Sequence, residues 1–217
     1  MTDAPAIQSL FINGPAGRLE AILNRGSADA HYAALVCHPH PMFGGTMHNK
    51  VVFHAMKALN HFGFPVLRFN FRGAGLSEGA HAEGEGERDD VRAALDWLTQ
   101  EYHLPIVFAG FSFGAAVGMR VACPDERVKA IIGLGTPVQA DNRTYGYEFL
   151  TQCSKPKLFC SGDHDQFASV DALNRLIAAA ADPKQLVLIR DADHFFAGHL
   201  AEMRHGLEEW LHSTLQI

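Results

Sequence analysis

The stretch from Pro105 to Cys123, "PIVFAGFSFGAAVGMRVAC", changes from one hydrophobic pattern to another within a few residues. Its first part, "PIVFAGFS", is a short continuous apolar run, which is typical of a strand buried on both faces. Its second part, "FGAAVGMRVAC", predicts a helix that Pro124 ends. The chain therefore has to turn sharply between Gly110 and Gly114.

The motif at this turn, Gly-x-Ser-x-Gly, places Ser112 between the strand and the helix. Such a turn strains the serine backbone and exposes its hydroxyl, while Gly110 and Gly114 let the helix approach the strand closely. The motif alone is weak because glycine and serine are common. A strand before it and a helix after it are the context that marks a nucleophile, so we interpret Ser112 as a catalytic serine.

Strands and helices alternate along most of the chain on either side of this turn. The segments "SLFI" and "RLEAILN", joined by "NGPAG", predict an N-terminal antiparallel hairpin. Further strands are predicted in "YAALVC", "FPVLRFNF", "VKAIIGLG", "KPKLFCSG" and "QLVLIR", and further helices in "MHNKVVFHAMKALNHFG", "GERDDVRAALDWLTQEY" and near 168–181 and 197–215. This pattern predicts an α/β fold with a mostly parallel central sheet and helices on both faces. Ligands bind such sheets at the carboxyl ends of the strands, so the residues just after each strand are the candidates for chemistry.

The composition is that of a globular protein. Of the 217 residues, 47% are hydrophobic and 19% are charged, and we expect a single domain over 1–217. No apolar run approaches the roughly 18 residues that a membrane span needs. The start, "MTDAPAIQSLFINGPAG", is acidic where a signal peptide would be basic. We therefore expect a cytoplasmic protein with no membrane partner.

Cysteine placement and charge narrow the partners further. The four cysteines form no Cys-x-x-Cys pair, and scattered cysteines of a cytoplasmic chain are usually reduced core residues. The formal net charge is -6 without a cluster of lysine or arginine, so no surface for a nucleic-acid backbone is predicted. The expected partner is a small molecule, and the oligomeric state is not predicted.

A serine hydroxyl needs a base to take its proton, and the base needs a third group to hold its tautomer. Two later strand ends offer these groups. Asp163-His164-Asp165 follows "LFCSG", and Asp191-Ala192-Asp193-His194-Phe195 follows "LVLIR". The order Ser, Asp, His along the chain is the one that this type of fold uses. Asp163 and Asp165 both remain candidates for the acid. His164 and Asp193 are interpreted as loop residues.

Taken together, the motifs resemble those of the α/β-hydrolases, and in particular the small lidless bacterial hydrolases that are related to dienelactone hydrolase and act as esterases. The resemblance extends over "CHPHPMFGGTMHNKVV", "FNFRGAGLSEG", "GFSFG", "GDHDQF" and "ADHFF". It implies an acid in the Gly-x-x-Asp turn that ends at Asp165, and His194 as the base. Dienelactone hydrolase itself has a cysteine nucleophile, so Ser112 departs from it.

The segment "HPHP", residues 38–41, admits two interpretations. His38 and His40 could bind a metal, but the loop holds no carboxylate and no regular ligand spacing beyond these two histidines. Alternatively the loop stabilises an oxyanion, which in this fold takes one N–H from the residue after the nucleophile, Phe113, and one from the loop after the third strand. His40 has the only N–H between two prolines. We therefore predict His40 and Phe113 as the oxyanion donors, with no metal and no cofactor.

The segment between the strands near Leu134 and Lys157 is too short for a helical cap and leaves room only for a short helix near 145–151. We therefore expect an open site walled by apolar side chains, some of them part of the core. The candidates are Met42, Phe43, Phe111, Phe113, Phe167, Phe195 and either Tyr145 or Tyr147. The predicted function is hydrolysis of carboxylic esters with short to medium acyl chains. A thioesterase, a lactone or peptide-bond hydrolase, and a catalytically silent binding module are the alternatives.

Overall fold

The computed structural model describes residues 6–140 and 143–216. The strands in this part of the chain are β1 (Ile7–Gly14), β2 (Gly17–Asn24), β3 (Ala33–Cys37), β4 (Val66–Phe69), β5 (Ile106–Phe111), β6 (Val128–Leu134), β7 (Gln139–Ala140), β8 (Arg143–Thr144), β9 (Lys157–Gly162) and β10 (Lys184–Ile189). The α-helices are α1 (Lys50–His61), α2 (Glu85–Tyr102), α3 (Phe113–Ala122), α4 (Val170–Ala179) and α5 (Leu200–Leu215). The first five residues, which contain the acidic residue weighed against a signal peptide, lie outside the described part.

Eight of these strands form one sheet in the order β1-β2-β4-β3-β5-β6-β9-β10. The hairpin β1-β2 is antiparallel, and β2 also pairs antiparallel with β4. The remaining pairs of this sheet, β4-β3, β3-β5, β5-β6, β6-β9 and β9-β10, are parallel. The predicted mostly parallel sheet with an N-terminal antiparallel hairpin is therefore confirmed.

Strand β5 shows why helices cover both faces of the sheet. Ile106 and Phe108 pack into a cluster with α2, α3 and α4, whereas Val107 and Ala109 pack into a second cluster with α1 and α5. Successive side chains of a strand point to opposite faces, so an unbroken apolar run needs an apolar layer on each side. Burying a valine-sized or larger side chain contributes roughly 1.5–3 kcal/mol.

Helices α4 and α5 begin later along the chain than the periodicity predicts, and the local structure explains both starting points. The side chain of Ser169 accepts a hydrogen bond from the Ala172 amide, so α4 begins at Val170. Helix α5 begins at Leu200 because Phe196 and Gly198, with φ of 53° and 81°, take a left-handed conformation that is incompatible with a helix.

The segment between β6 and β9 forms no cap domain within its described residues. It contains the short pair β7-β8 and a 3₁₀ turn, Glu148–Gln152, which replaces the helix predicted near 145–151. Residues 141 and 142 of this segment lie outside the described part. The carboxyl ends of the central strands are therefore not covered by an inserted helical layer in the part of the chain that is described.

Strands β3 and β5 are neighbours, but the chain leaves them in opposite directions, from β3 toward β4 and from β5 toward β6. In an open parallel sheet, such a reversal leaves a crevice at the carboxyl ends of the two strands. Ser112 follows β5 and the "HPHP" loop follows β3, so both begin at this crevice.

Two further properties of the described chain bear on its partners. No helix in 6–140 or 143–216 is long and apolar enough to cross a membrane. The four cysteines are free thiols, and three of them are buried.

Candidate active site

The backbone at Ser112 explains the spacing of the Gly-x-Ser-x-Gly motif. Ser112 has φ 54° and ψ -120°, a conformation that non-glycine residues rarely adopt. A Cβ at Gly110 would lie 2.6 Å from the Gly114 carbonyl oxygen, and a Cβ at Gly114 would lie 2.5 Å from the His38 carbonyl oxygen. Only glycine fits at either position, and the turn leaves the Ser112 side chain at the start of α3.

A chain of hydrogen bonds connects three strand ends. His194 Nε2 lies 2.9 Å from Ser112 Oγ, and His194 Nδ1 lies 2.9 Å from Asp165 Oδ2. A carboxylate only accepts hydrogen bonds, so Nδ1 carries the proton and the lone pair of Nε2 faces the serine hydroxyl. This is the arrangement that a general base needs.

Asp165 is fixed by more than its contact with the histidine. Its Oδ1 accepts a hydrogen bond from the Phe167 amide at 2.8 Å, and its Oδ2 accepts one from Ser161 Oγ at 3.1 Å. Both Asp165 and His194 are buried. The carboxylate is therefore held in one orientation by donors from β9 and from the turn that follows it.

The alternative acids lie elsewhere. Asp163 Oδ1 is buried and has no hydrogen-bond partner among the described residues. Asp193 Oδ1 accepts from the amides of Phe195 and Ala197, both at 3.0 Å, and so stabilises the turn after His194. His164 is exposed, and its amide donates to Ala192. The structure therefore brings Asp165, and not Asp163, to His194.

The ring of His194 lies among three aromatic rings. Its centroid is 4.5 Å from that of Phe167, 5.0 Å from that of Phe111 and 5.1 Å from that of Phe195. Gly135 lies against the same ring, since a Cβ there would be 3.1 Å from two of its atoms. Gly135 could not be identified from the sequence, because its position against this ring depends on a contact with a residue far along the chain.

The side chains of the two residues predicted to supply the oxyanion donors are in contact. Phe113 is the first residue of α3, a position whose N–H has no acceptor within the helix. The ring of His40 packs against the ring of Phe113 with centroids 4.6 Å apart and a tilt of 51° between the ring planes. His81 packs against both rings, at 4.9 Å from His40 and 5.7 Å from Phe113, and its Nδ1 lies 2.7 Å from the buried carboxylate of Glu87. His81 and Glu87 were not identified from the sequence, because their proximity to the site depends on how α2 packs.

An apolar cavity of about 310 Å³ opens in front of Ser112. Ser112, His194, His40 and Phe113 all line it. The other lining residues are Pro39, Phe43, Gly44, Gly45, Asn49, Pro137, Tyr145, Phe167 and Phe195. Of the pocket residues predicted from the sequence, Phe43, Phe113, Phe167, Phe195 and Tyr145 are therefore at the cavity.

Three other predicted pocket residues do not line this cavity. Phe111 is fully buried beneath His194, because residues 107, 109 and 111 of β5 share the face that packs on α1 and α5. Met42 lies in the 3₁₀ turn Pro41–Phe43 and is 68% exposed. The hydroxyl of Tyr147 donates to the Pro137 carbonyl at 2.7 Å, so that this tyrosine supports the wall from behind. Phe111 is therefore a core residue rather than part of the cavity wall, and Met42 lies outside that wall.

His38 is fully buried, and both of its ring nitrogens bind the main chain. Nδ1 lies 2.6 Å from the Pro39 carbonyl oxygen, and Nε2 lies 2.9 Å from the Phe71 amide nitrogen. Burial lowers the pKa of His38 from 6.5 to about 4. These contacts leave no ring nitrogen of His38 for a metal ion. Among the described residues, no three His, Cys, Asp or Glu side chains are placed to hold one.

Comparisons with known proteins identify the family of this fold. The profile of a family described as "Alpha/beta hydrolase domain" matches residues 34–214. The chain is similar to an alpha-beta serine hydrolase homologue from Coxiella burnetii, with 36% identity, a TM-score of 0.87, and coverage of 97% of this chain and 98% of that chain. It is similar to a serine hydrolase without a lid from Xanthomonas campestris, with 31% identity, a TM-score of 0.84, and coverage of 97% and 95%. An uncharacterized protein from Rickettsia prowazekii is 34% identical over 93% of this chain and 87% of its own length.

Proposed function

Because this chain belongs to the alpha/beta hydrolase family, we propose that it is a serine hydrolase that cleaves carboxylic esters with short to medium acyl chains. The observation that carries the proposal is the hydrogen-bond chain from Asp165 through His194 to Ser112, which opens onto an apolar cavity. We also propose that the chain is a single domain over 1–217. The free cysteines, three of them buried, fit the reducing conditions of the cytoplasm.

In the proposed reaction, His194 Nε2 takes the proton of Ser112 Oγ as the oxygen attacks the ester carbonyl carbon. The protonated imidazole then gives this proton to the leaving alcohol, and the acyl group stays on Ser112. Water, deprotonated by His194, releases the acid and restores the serine. Asp165 keeps the proton of His194 on Nδ1 and stabilises the imidazolium when it forms.

The negative charge on the carbonyl oxygen needs donors that are already in place before the reaction. We assign this role to the backbone N–H groups of His40 and Phe113, whose residues line the same cavity as Ser112. Pro39 and Pro41 restrict the backbone on either side of His40. Removing one such donor in other serine hydrolases lowers turnover by about 10²–10³-fold.

The size of the cavity supports the choice of acyl chain. Its volume of about 310 Å³ is at the low end for small-molecule sites. Each methylene buried against the walls contributes about 0.8 kcal/mol, and carbons that project into water contribute little. Rates should therefore rise over the first few carbons and then level off, without activation at a lipid interface.

A fluorophosphonate probe tests the nucleophile directly. We expect stoichiometric labelling of the wild-type protein at Ser112, mapped by peptide mass spectrometry, and none in Ser112→Ala. A catalytically silent binding module would not be labelled. Label on another residue, or none, would refute the proposed function.

A substrate panel tests the chemical class. Nitrophenyl esters of increasing acyl length, matched thioesters and lactones would be compared by kcat/KM. We expect esters of short to medium acids to be preferred. Larger values for thioesters or lactones would keep the proposed nucleophile and replace the substrate class.

A further inference from the structure

His38 is a buried residue of the cavity loop that the reaction described above does not use. Its ring does not line the cavity, so it cannot touch a substrate bound there. Its hydrogen bonds nevertheless reach a residue beside each proposed oxyanion donor. Pro39 directly precedes His40, and Phe71, which follows β4, lies behind Phe113.

The tautomer of His38 follows from its partners. The Pro39 carbonyl oxygen only accepts, so Nδ1 must carry the hydrogen. The Phe71 amide only donates, so Nε2 must present a lone pair. A neutral imidazole satisfies both contacts, and a protonated ring would leave an N–H of Nε2 facing the N–H of Phe71.

The carbonyl that His38 holds belongs to the same peptide unit as the N–H of His40. This peptide is trans and planar, so its C=O and N–H point in opposite directions. The carbonyl oxygen is directed to the buried ring of His38, and the N–H is therefore directed away from the core. Gly45 closes around the same carbonyl, since a Cβ there would lie 2.2 Å from the oxygen.

We propose that His38 is a positioning residue for the oxyanion hole: its Nδ1–H holds the Pro39 carbonyl and so aims the N–H of His40 at the substrate. The inference rests on the proposed function. A hydrogen bond to the carbonyl of a peptide also polarises its N–H, which makes that N–H a stronger donor to the developing oxyanion.

His38 also links the two halves of the proposed oxyanion hole through its contact with Phe71. The Phe71 ring packs against His38 at 4.8 Å and edge-on against Phe113 at 5.6 Å between centroids. His38 therefore holds the His40 peptide directly and the Phe113 side through Phe71. Loss of the ring should affect the transition state, where both donors act, more than substrate binding.

Two conservative variants separate the contacts of His38. In His38→Asn the side-chain amide nitrogen takes the place of Nδ1 and can still donate to Pro39, whereas in His38→Gln the amide reaches the place of Nε2 and meets Phe71 instead. Asn60→Ala is the matched control, because it removes two partly buried hydrogen bonds, to the carbonyl oxygens of Arg25 and Phe64, at the opposite end of α1.

The variants are compared by kcat and KM for an activated short-chain ester. The value of kcat is expressed per active serine, which is counted by a fluorophosphonate labelling reaction run to completion. The Kd of an alkyl boronic acid is measured as well. A boronate adduct of Ser112 has a tetrahedral boron, and one oxygen on that boron takes the oxyanion position. We expect His38→Gln to lose about 10- to 100-fold in kcat and in boronate affinity with KM changed less than about threefold. His38→Asn should stay within about threefold of wild type, and Asn60→Ala should keep kcat and boronate affinity while losing stability.

Equal kcat and boronate affinity in wild type and His38→Gln, or equal losses in His38→Gln and His38→Asn, would overturn the inference while the proposed function stands. A wild-type protein that is not labelled at Ser112 would overturn the proposed function and this inference with it.

A measurement on the wild-type protein alone covers the case in which the variants do not fold. Nitrogen-15 NMR of labelled histidines should show His38 neutral, with the proton on Nδ1. That proton should move downfield when the boronic acid binds, because the oxyanion and His38 act on one peptide unit. A proton on Nε2, or a resonance that does not respond to the boronate, would overturn the inference.

Discussion

The β5-α3 turn and the β3-α1 loop meet at the cavity, and different forces hold their donors in place. At the turn, Phe113 is placed by regular structure on both sides, a buried strand before it and a helix after it. In the loop, His40 is placed by side chains and restricted residues: two flanking prolines, a glycine pair and the buried ring of His38. One half of the proposed oxyanion hole is therefore placed by regular secondary structure. The other half depends on restricted residues and a buried side chain within one loop, and on the contact of that side chain, His38, with Phe71 from a distant segment.

The largest effect is expected at the turn itself. Ser112→Ala removes the atom that attacks, and members of a catalytic triad act as a unit, so turnover should fall by up to ~10⁶-fold. The measurement is kcat on an activated ester, with circular dichroism as the check on folding. Near-normal turnover would show that the turn places no nucleophile.

The turn after β9 carries the proposed acid, Asp165. Asp165→Asn should cost about 10⁴-fold in kcat, because an amide favours the wrong tautomer of His194. Asp163→Asn is the matched control and should cost far less, since Asp163 does not contact the histidine. A reversed ranking in steady-state kinetics would move the role of the acid to Asp163.

The loop can be disturbed without touching any side chain at the cavity. A Cβ at Gly45 would meet the backbone of Pro39 at 2.2 Å, so Gly45→Ala should displace the peptide that carries the His40 N–H and lower kcat by about 10- to 100-fold. A Cβ at Gly44 meets nothing within 4 Å. Gly44→Ala, at φ 77°, should therefore cost about 1 kcal/mol in stability and little activity. Equal losses of kcat in the two variants would contradict this account of the loop.

Acid should lower the stability of the protein through His38, in the loop after β3. His38 titrates near 6.5 in the unfolded chain and, through burial, at about 4 in the folded protein. As the pH falls from 6.5 to 4 the unfolded state binds the proton first, so stability falls across this window and the loss is complete below it. The difference corresponds to roughly 3 kcal/mol. Urea unfolding of wild type and His38→Asn at several pH values checks this, since their stability difference should shrink toward pH 4, and a constant difference would contradict it.

The smallest effect separates two neighbours in the 3₁₀ turn of the loop. Phe43 lines the cavity and Met42 does not. Phe43→Ala should lower kcat/KM for medium-chain esters by a few fold, in keeping with about 0.8 kcal/mol per methylene left uncovered, and Met42→Ala should change it little. A larger effect of Met42→Ala would mean that the substrate lies along the outside of this turn.

The strands, the helices and the turn at Ser112 could be predicted because their signals are local. Buried strands such as β5 are continuous apolar runs, helices such as α1 repeat apolar residues at helical spacing, and the nucleophile motif lies where the two meet. The approximate places of Asp165 and His194 followed from the rule that chemistry lies at strand ends. Their roles remain predictions until activity is measured.

The contributions of His38, His81 and Gly135 could not be predicted, because each depends on a contact with a distant segment. His38 meets Phe71 only when β4 pairs beside β3, and Gly135 meets His194 only when the end of β6 lies near the last loop. Phe111 is a different case. Its place in the alternation of β5, with residues 107 and 109, already assigns it to the core face, and that period-two pattern was the signal that its assignment to the pocket overlooked.

The left-handed backbone of Ser112 implies a conflict between durability and chemistry at one position. A non-glycine residue in such a conformation costs about 1–3 kcal/mol, and glycine would relieve most of that cost. Glycine has no hydroxyl, so the residue best suited to the backbone is the one that cannot attack a substrate. Directed evolution for heat resistance alone would therefore favour losing the serine, and a selection for thermostable variants of this protein has to include turnover as a second criterion.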